Sequence, residues 1–185
     1  IVERLKEALQ GPEFNRYPSY VGITEFRRAA ARWYKKRFGV SLDPEHEVVS
    51  LIGSKEGVSH APMAYVDQGD IALFPDPCFP IFYTGILFAK GRPYPMPLTK
   101  ENAYLPDLGK IPREVVQRTK LISLNYPHNP TTGLANHDFF KEVIRFAKQY
   151  HLVVLHDLAY SEIYFDGHYV PSILEVDGAK DVAIE

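Results

Sequence analysis

Leu152-Val-Val-Leu-His-Asp-Leu-Ala-Tyr160 opens with four apolar residues in a row and then reaches a carboxylate. A short run that is apolar at every position indicates a strand covered on both faces, as in a parallel sheet. Residues 137–151, just before it, repeat apolar side chains from Phe140 to Ala147 at helical spacing. A helix that leads directly into a buried strand is the unit of an α/β fold.

The same alternation extends through the chain on both sides of this unit. Periodicity predicts strands at 48–52, 71–74, 121–124, 152–155 and 182–184, and helices at 1–10, 23–38, 55–66, 79–89 and 137–151. Residues 91–112 contain five prolines, among them Pro93, Pro95, Pro97 and Pro106, and are predicted to be an irregular crossing. We therefore expect an α/β fold with a mainly parallel central sheet and helices on both faces.

The amino-acid composition and the charge balance argue against several classes of protein. The 185 residues are 45% hydrophobic and 24% charged, which is typical of a globular domain. The 21 basic and 23 acidic residues give a net charge of -2 without a basic run, so nucleic acid is not an expected partner. No apolar stretch reaches the roughly 20 residues of a membrane span, and nothing resembles a signal peptide. With Cys78 as the only cysteine, a soluble, cytoplasmic protein is expected.

The two ends indicate a piece of a longer protein. The chain starts at Ile1 without a methionine, and Asp181-Val-Ala-Ile-Glu185 has the alternating pattern of a strand that enters a sheet. Because termini are more often polar tails, we expect the chain to be truncated.

Four polar or glycine-containing clusters each follow a predicted strand, at residues 53–57, 75–80, 125–133 and 156–160. The carboxyl ends of parallel strands share one edge of the sheet, and ligands bind at that edge. The first cluster opens a helix near Ser54 and Lys55, where backbone N–H groups could hold a phosphate. An ordinary strand-to-helix turn is the alternative, since neither a P-loop nor a Gly-x-Gly-x-x-Gly pattern is present.

Individual side chains in the other clusters have both a functional and a structural interpretation. Asp157 would end a buried strand, where a carboxylate needs a partner such as a cationic ring nitrogen, or it could cap a local turn. Tyr160 could direct its hydroxyl to the same ligand or pack in the core. Asn129 lies in a loop whose Asn-Pro bond can be cis, or in a simple turn. Phe79 could stack on a ring or be core.

Two other chemistries are not supported. The seven histidines show no HExxH pattern and there is no cysteine pair, so no metal site is expected. No Gly-x-Ser-x-Gly elbow occurs, and Cys78 is better explained as a buried thiol than as a nucleophile.

Five motifs in order resemble the large domain of class I/II aminotransferases of fold type I, which use pyridoxal phosphate. They are Tyr17-Pro-Ser-Tyr-Val-Gly-Ile-Thr-Glu-Phe-Arg27, Gly53-Ser-Lys-Glu-Gly57, Pro75-Asp-Pro-Cys-Phe-Pro80, Asn125-Tyr-Pro-His-Asn-Pro-Thr-Thr-Gly133 and Asp157-Leu-Ala-Tyr160. Three stretches, residues 124–127, 160–167 and 171–180, look most like the LL-diaminopimelate aminotransferase branch. The resemblance covers almost the whole chain and implies transamination between an amino acid and a 2-oxo acid, with LL-diaminopimelate or the aspartate/glutamate class as candidate substrates.

The resemblance also implies a role for each residue. Asp157 would pair with the pyridinium nitrogen, while Asn129 and Tyr160 would bond the phenolic oxygen of the cofactor ring. Phe79 would stack on the ring, and the backbone N–H groups of Ser54 and Lys55 would bind the phosphate. A further implied contact is that of Tyr17 with the phosphate held by a neighbouring subunit, and hence a homodimer.

The sequence departs from the family at several places. Phe79 stands where close relatives usually have Tyr, Cys78 where they have Gly, and His128 where Asn is common. The lysine that the family links covalently to the cofactor would come after Glu185, so residues 1–185 alone are expected to be inactive.

Residues 1–40 are interpreted as the N-terminal helices and cofactor-proximal loop, and residues 41–185 as part of the cofactor-binding large domain. A lyase of the same fold and a noncatalytic ligand-binding module remain alternatives.

Overall fold

A computed structural model describes residues 1–14 and 16–185. The chain divides into two compact units, Ile1–Leu51 and Ile52–Glu185. The boundary between residues 40 and 41, drawn from the sequence by expected role, falls inside the first unit and stays a prediction.

The first unit contains two α-helices, α1 (Val2–Leu9) and α2 (Thr24–Phe38), with a 3-10 turn at Pro12–Phe14. Gly39 ends α2 with a φ of 74°, in the left-handed region that glycine adopts most easily. Arg27 is buried, and its guanidinium binds the Glu45 carboxylate at 3.1 Å and the Pro44 carbonyl oxygen. This contact fastens the 43–47 loop to α2.

The strand predicted at 48–52 is wrong. Residues 48–52 are not assigned to a strand, and none of the described strands pairs with them. The Ser50 N–H donates to the Val21 carbonyl at 3.0 Å, which is one contact rather than a ladder. The β-branched pattern of this segment is typical of a strand, but a strand forms only beside a neighbour whose backbone groups it can pair with.

The second unit is a parallel sheet with helices on both faces. Its elements in chain order are α3 (Ser54–Tyr65), β1 (Ile71–Asp76), α4 (Ile81–Phe88), β2 (Arg92–Pro97), α5 (Arg113–Val116), β3 (Thr119–Asn125), α6 (His137–Tyr150), β4 (Val153–Asp157) and β5 (Ala183–Ile184). The strand order is β2-β1-β3-β4-β5, and every pair is parallel. This confirms the predicted fold class.

Each face of the sheet has its own core because side chains alternate along a strand. On one face, α6 packs Phe140, Val143 and Ala147 against β3 and β4. On the other face, α3 and α4 pack Val58, Phe82 and Ile86 against Ala72, Leu121 and Leu155. The fully apolar run before Asp157 is therefore covered on both sides, which positions this carboxylate at the end of a buried strand.

Strand β2 was not predicted, because its Arg92-Pro-Tyr-Pro-Met-Pro97 sequence contains three prolines. The Arg92 N–H donates to the Asp70 carbonyl at 2.8 Å, and the Leu98 N–H to the Asp76 carbonyl at 2.7 Å. Even-numbered residues of this strand therefore direct their N–H groups to β1. The prolines occupy the odd-numbered positions 93, 95 and 97, whose backbone nitrogens face the outer edge, so the ladder loses no donor.

A buried polar network connects β4, β5 and the 3-10 turn Ile173–Glu175. His156 Nδ1 lies 2.7 Å from Glu185 Oε2, and both side chains are fully buried. The same carboxylate accepts hydrogen bonds from the Ser172 hydroxyl and from the Ile173 N–H, the latter at 2.9 Å. A carboxylate only accepts, so Nδ1 of His156 is the donor in this contact. Three donors thus hold the Glu185 side chain beside the end of β4.

Candidate functional site

The chain reverses its direction of travel across the sheet after β2. From β1 it moves outward to β2 and then returns to place β3 on the other side of β1. Loops at the carboxyl ends of β1 and β3 therefore leave in opposite directions, and such a switch point opens a crevice above the sheet.

A cavity of about 150 Å³ occupies this edge of the sheet. It is lined by Ser54, Lys55, Val58, Phe79, Ile81, Asn125, Asn129, Asp157, Ala159 and Tyr160. Six of the seven residues that the sequence analysis singled out are in that set. The four chain segments that carry them are separated by up to about a hundred residues, and the sheet brings them together.

Tyr17 is the seventh residue and does not line the cavity. It belongs to the first unit, where its side chain is 85% exposed. Its ring lies edge-on to that of Tyr20, with 6.5 Å between centroids. The contact of Tyr17 with a neighbouring subunit's cofactor stays a prediction.

The start of α3 provides backbone donors at one end of the cavity. Gly53 precedes the helix with a φ of 146°, which side-chain-bearing residues rarely adopt, so glycine is needed to turn the chain into α3. Within the described residues no side chain caps this helix. The first N–H groups of a helix have no partner inside it, and the positive end of the helix dipole lies there. Ser54 and Lys55 thus offer donors that suit an anion.

Phe79 and Lys55 form one wall of the cavity. The Lys55 ammonium lies 5.1 Å from the centroid of the Phe79 ring, in a cation–π contact. Phe79 is 37% exposed, so its ring is not part of the core. This arrangement puts a positive charge and an aromatic surface next to the start of α3.

Asp157 ends β4, and its side chain is half-buried. Burial raises the pKa of its carboxyl above 3.8, while the Ala159 N–H and the charge of His156 act in the opposite direction. The Ala159 N–H donates to Asp157 Oδ1 at 3.2 Å. Desolvation dominates, so the described residues do not fully compensate the ionised carboxylate, and a cationic ligand would do so.

We expect Asp157→Asn to raise the thermal stability of the ligand-free protein at neutral pH. Because the folded protein raises the pKa of this carboxyl above 3.8, the folded state binds the proton more tightly than the unfolded state does. Stability is therefore lost as the pH rises above that value. Melting temperatures of both proteins between pH 4 and pH 8 test this; an advantage of the variant that did not grow with pH would contradict it.

The loop after β3 supplies Asn129, which is half-buried at the cavity. The Asn129–Pro130 bond is cis, as are Tyr126–Pro127 and Asp76–Pro77. Tyr160 approaches the cavity from the turn after β4. Asn129 and Tyr160 also border a second, larger cavity of about 460 Å³, whose other lining is mostly aromatic and aliphatic.

Asn125 also lines the cavity, although the sequence analysis gave it no role. It is the last residue of β3 and only 2% exposed. The available signal was an asparagine at the end of a mostly buried strand, because a buried side-chain amide must find hydrogen bonds.

Neither a metal site nor a reactive thiol is evident in the described part of the chain. Residues 1–14 and 16–185 contain no group of three His, Cys, Asp or Glu side chains arranged to hold a metal ion. Burial, assisted by the charge of Asp76, raises the pKa of the Cys78 thiol to about 11, so the thiol is neutral at pH 7. Over the same residues no helix is long and apolar enough to span a membrane.

Together, the fold and the cavity define a class of protein: a doubly wound parallel α/β domain whose ligand site combines a helix start, an aromatic face and a carboxylate. The family profile described as aminotransferase class I and II matches residues 1–185. The chain belongs to this family, whose members depend on pyridoxal phosphate.

Individual relatives agree with this assignment. The chain is 54% identical to the LL-diaminopimelate aminotransferase of Aquifex aeolicus over 185 residues and 51% identical to that of Desulforudis audaxviator, covering 100% of this chain and 48% and 47% of those proteins. A solved structure of apo-BacF from Bacillus subtilis superposes with a TM-score of 0.95 at 40% identity, covering 98% of this chain and 46% of that one. The chain spans about half the length of the curated relatives it matches.

Proposed function

We propose that the chain is the cofactor-binding part of a longer, pyridoxal-phosphate-dependent aminotransferase that moves an amino group between an amino acid and a 2-oxo acid. One observation carries this proposal: Ser54, Lys55, Phe79, Asn129, Asp157 and Tyr160 come from four chain segments and line one cavity. Membership of the aminotransferase family supports it independently.

The residues of the cavity fit the parts of the cofactor. The uncapped start of α3 and the Lys55 ammonium suit a phosphate dianion. Phe79 offers an aromatic surface to a flat ring. Asp157, whose raised pKa reflects an uncompensated carboxylate, suits a cationic ring nitrogen. Phe79 would hold the face of the ring, and Asn129 and Tyr160 would bind its phenolic oxygen.

Each residue would do a definite part of the work. When bound, pyridoxal phosphate supplies an electron sink for the carbanion formed from the amino acid. Asp157 would hold the proton on the ring nitrogen, because its carboxylate stabilises the cation at that atom. Asn129 and Tyr160 would donate hydrogen bonds that orient the ring, and the start of α3 would fix it at the phosphate.

The names of the relatives favour LL-diaminopimelate as the amino donor. The matched proteins from Aquifex aeolicus and Desulforudis audaxviator are both LL-diaminopimelate aminotransferases. The larger cavity beside Asn129 has a mostly apolar lining, which does not suit the second ammonium and carboxylate of that substrate. We therefore assign recognition of the second ammonium and carboxylate of the substrate to parts of the protein other than this cavity.

We further propose a cytoplasmic homodimer in which Tyr17 reaches the cofactor of the partner subunit. Tyr17 is highly exposed, and α1 leaves Val2, Leu5 and Leu9 exposed on its surface. Apolar side chains grouped in this way are typical of a surface that another chain covers. Sedimentation of the intact protein should give a dimer mass.

The test of the function uses the intact protein with pyridoxal phosphate, LL-diaminopimelate and a 2-oxo acid. Transamination requires the 2-oxo acid and converts it to an amino acid in equal amount. A product that forms at the same rate without the 2-oxo acid would indicate the lyase. Cofactor binding without turnover of this donor or of aspartate and glutamate would indicate the noncatalytic module.

Asn129→Ala should weaken the binding of pyridoxal phosphate by about 2- to 13-fold, because one neutral hydrogen bond contributes about 0.5 to 1.5 kcal/mol. Equilibrium dialysis against the cofactor measures the change. Asn102→Ala is the matched control, since Asn102 is exposed on a 3-10 turn away from the cavity. Equal affinities of the two variants for pyridoxal phosphate would indicate that Asn129 has only a structural role.

A further inference from the structure

The Asn125 side chain joins two of the residues assigned to the cofactor. Its Nδ2 donates to the backbone carbonyl of Asp157 at 2.8 Å. Its Oδ1 accepts from the backbone N–H of Asn129 at 2.9 Å. One planar amide therefore connects the end of β4 to the loop after β3.

The orientation of this amide follows from its two partners. A carbonyl can only accept and a backbone N–H can only donate, so a flipped amide would place two donors together and two acceptors together. Asn125 is buried, and water cannot easily replace either bond. The amide is thus held in one orientation by both contacts.

The two hydrogen bonds of the Asn125 side chain lie where the regular pairing of β3 with β4 ends. In the register of the sheet Asn125 pairs with Asp157, the last residue pair of β3 and β4, and the chain after Asn125 leaves the sheet. Beyond it no ladder fixes the position of the Asn129 backbone relative to the Asp157 backbone. The two hydrogen bonds of the Asn125 side chain fix this relative position instead.

We infer that Asn125 is a positioning residue that sets the separation of Asn129 and Asp157. The inference rests on the proposed function, in which Asn129 contacts the phenolic oxygen of the ring and Asp157 its nitrogen. Those two ring atoms are a fixed distance apart, so the two side chains must be held in register to serve both at once. Asn125 does this through its hydrogen bonds to the backbones of both residues.

Asn125→Asp and Asn125→Ala in the intact protein test the inference. Aspartate keeps the size and the acceptor of the side chain but removes the donor to Asp157, and alanine removes both bonds. Ser123→Ala is the matched control, because Ser123 is buried on the same strand and the same face and its hydroxyl makes no hydrogen bond among the described residues.

Two readouts separate positioning from a merely structural role. In protein without cofactor, amide exchange of residues 126–132 should be about tenfold or more faster in Asn125→Ala than in wild type and unchanged in Ser123→Ala. In protein with cofactor, both Asn125 variants should shift the visible absorption band or its pH dependence, and kcat should fall by about 10- to 100-fold with a smaller change in KM.

The outcomes distinguish this inference from the proposed function. A wild-type protein that binds no pyridoxal phosphate would overturn the proposed function, and with it the role of Asn125 at the cofactor. A wild-type protein that binds the cofactor, with Asn125→Asp matching Ser123→Ala in amide exchange, spectrum and kcat, would overturn the positioning role alone. If Asn125→Ala fails to fold, Asn125→Asp decides by the same comparison.

Discussion

Replacing Asp157 by alanine in the intact enzyme should lower kcat/KM for transamination by about 100- to 1000-fold, while the protein stays folded. The Asp157 carboxylate lies at the end of β4 and lines the cavity, and in its proposed role its removal would leave the ring nitrogen of the cofactor without a counter-charge. Folding should survive because the hydrogen bond from Ala159 is a local turn contact. The effect should therefore appear in catalysis rather than in stability.

Steady-state kinetics with saturating pyridoxal phosphate measures the loss, and circular dichroism checks the fold. Asp177→Ala is the matched control, since Asp177 is an exposed carboxylate of the same unit outside the cavity. We expect the control to keep its full activity. Activity of Asp157→Ala within a few-fold of wild type would remove Asp157 from the mechanism.

Glu185→Ala should lower the free energy of unfolding by about 3 to 5 kcal/mol, which is the largest stability effect we expect. The substitution removes the acceptor of three buried donors, from His156, Ser172 and Ile173. Water cannot reach them, so each donor is left without a partner in the folded state. Glu185→Gln should cost less, because the amide oxygen can still accept two of these bonds.

Asp181→Ala provides the comparison for Glu185→Ala. Asp181 is also a carboxylate near the end of the chain, but its ion pair with Lys148 is solvent-exposed. Exposed pairs contribute about 0 to 1 kcal/mol, so this variant should unfold nearly like wild type. Urea unfolding at pH 7 measures all three variants. Equal losses for Asp181→Ala and Glu185→Ala would show that the buried network contributes nothing specific.

The sequence predicted the parallel α/β fold because the pattern of each strand reports its burial. The run before Asp157 is apolar throughout, and in the structure it is covered on both faces. The hydrophobic pattern gave wrong predictions where backbone hydrogen bonding, rather than side-chain burial, determines whether a strand forms. Residues 48–52 have the pattern of a strand but pair with none of the described strands. Residues 92–97 have the composition of a proline-rich loop but form a strand, because the prolines alternate with the donors.

Much of the candidate site could be predicted from the order of the strands and of the loops that follow them. Clusters that follow parallel strands must meet at one edge, so Asn129 and Asp157 could be grouped without coordinates. Contacts from a side chain to a distant backbone were not predictable. The bond from Asn125 to the Asp157 carbonyl and that between His156 and Glu185 join residues 32 and 29 positions apart, and no spacing rule connects them.

The alternating prolines of β2 also determine which side of the sheet can recruit another strand. An edge strand normally presents unpaired N–H groups, and these are the template on which foreign strands assemble into aggregates. Here the outer edge presents carbonyl oxygens but lacks the amide hydrogens that an incoming strand would need at positions 93, 95 and 97. The three prolines therefore block growth of the sheet at this edge through their covalent structure.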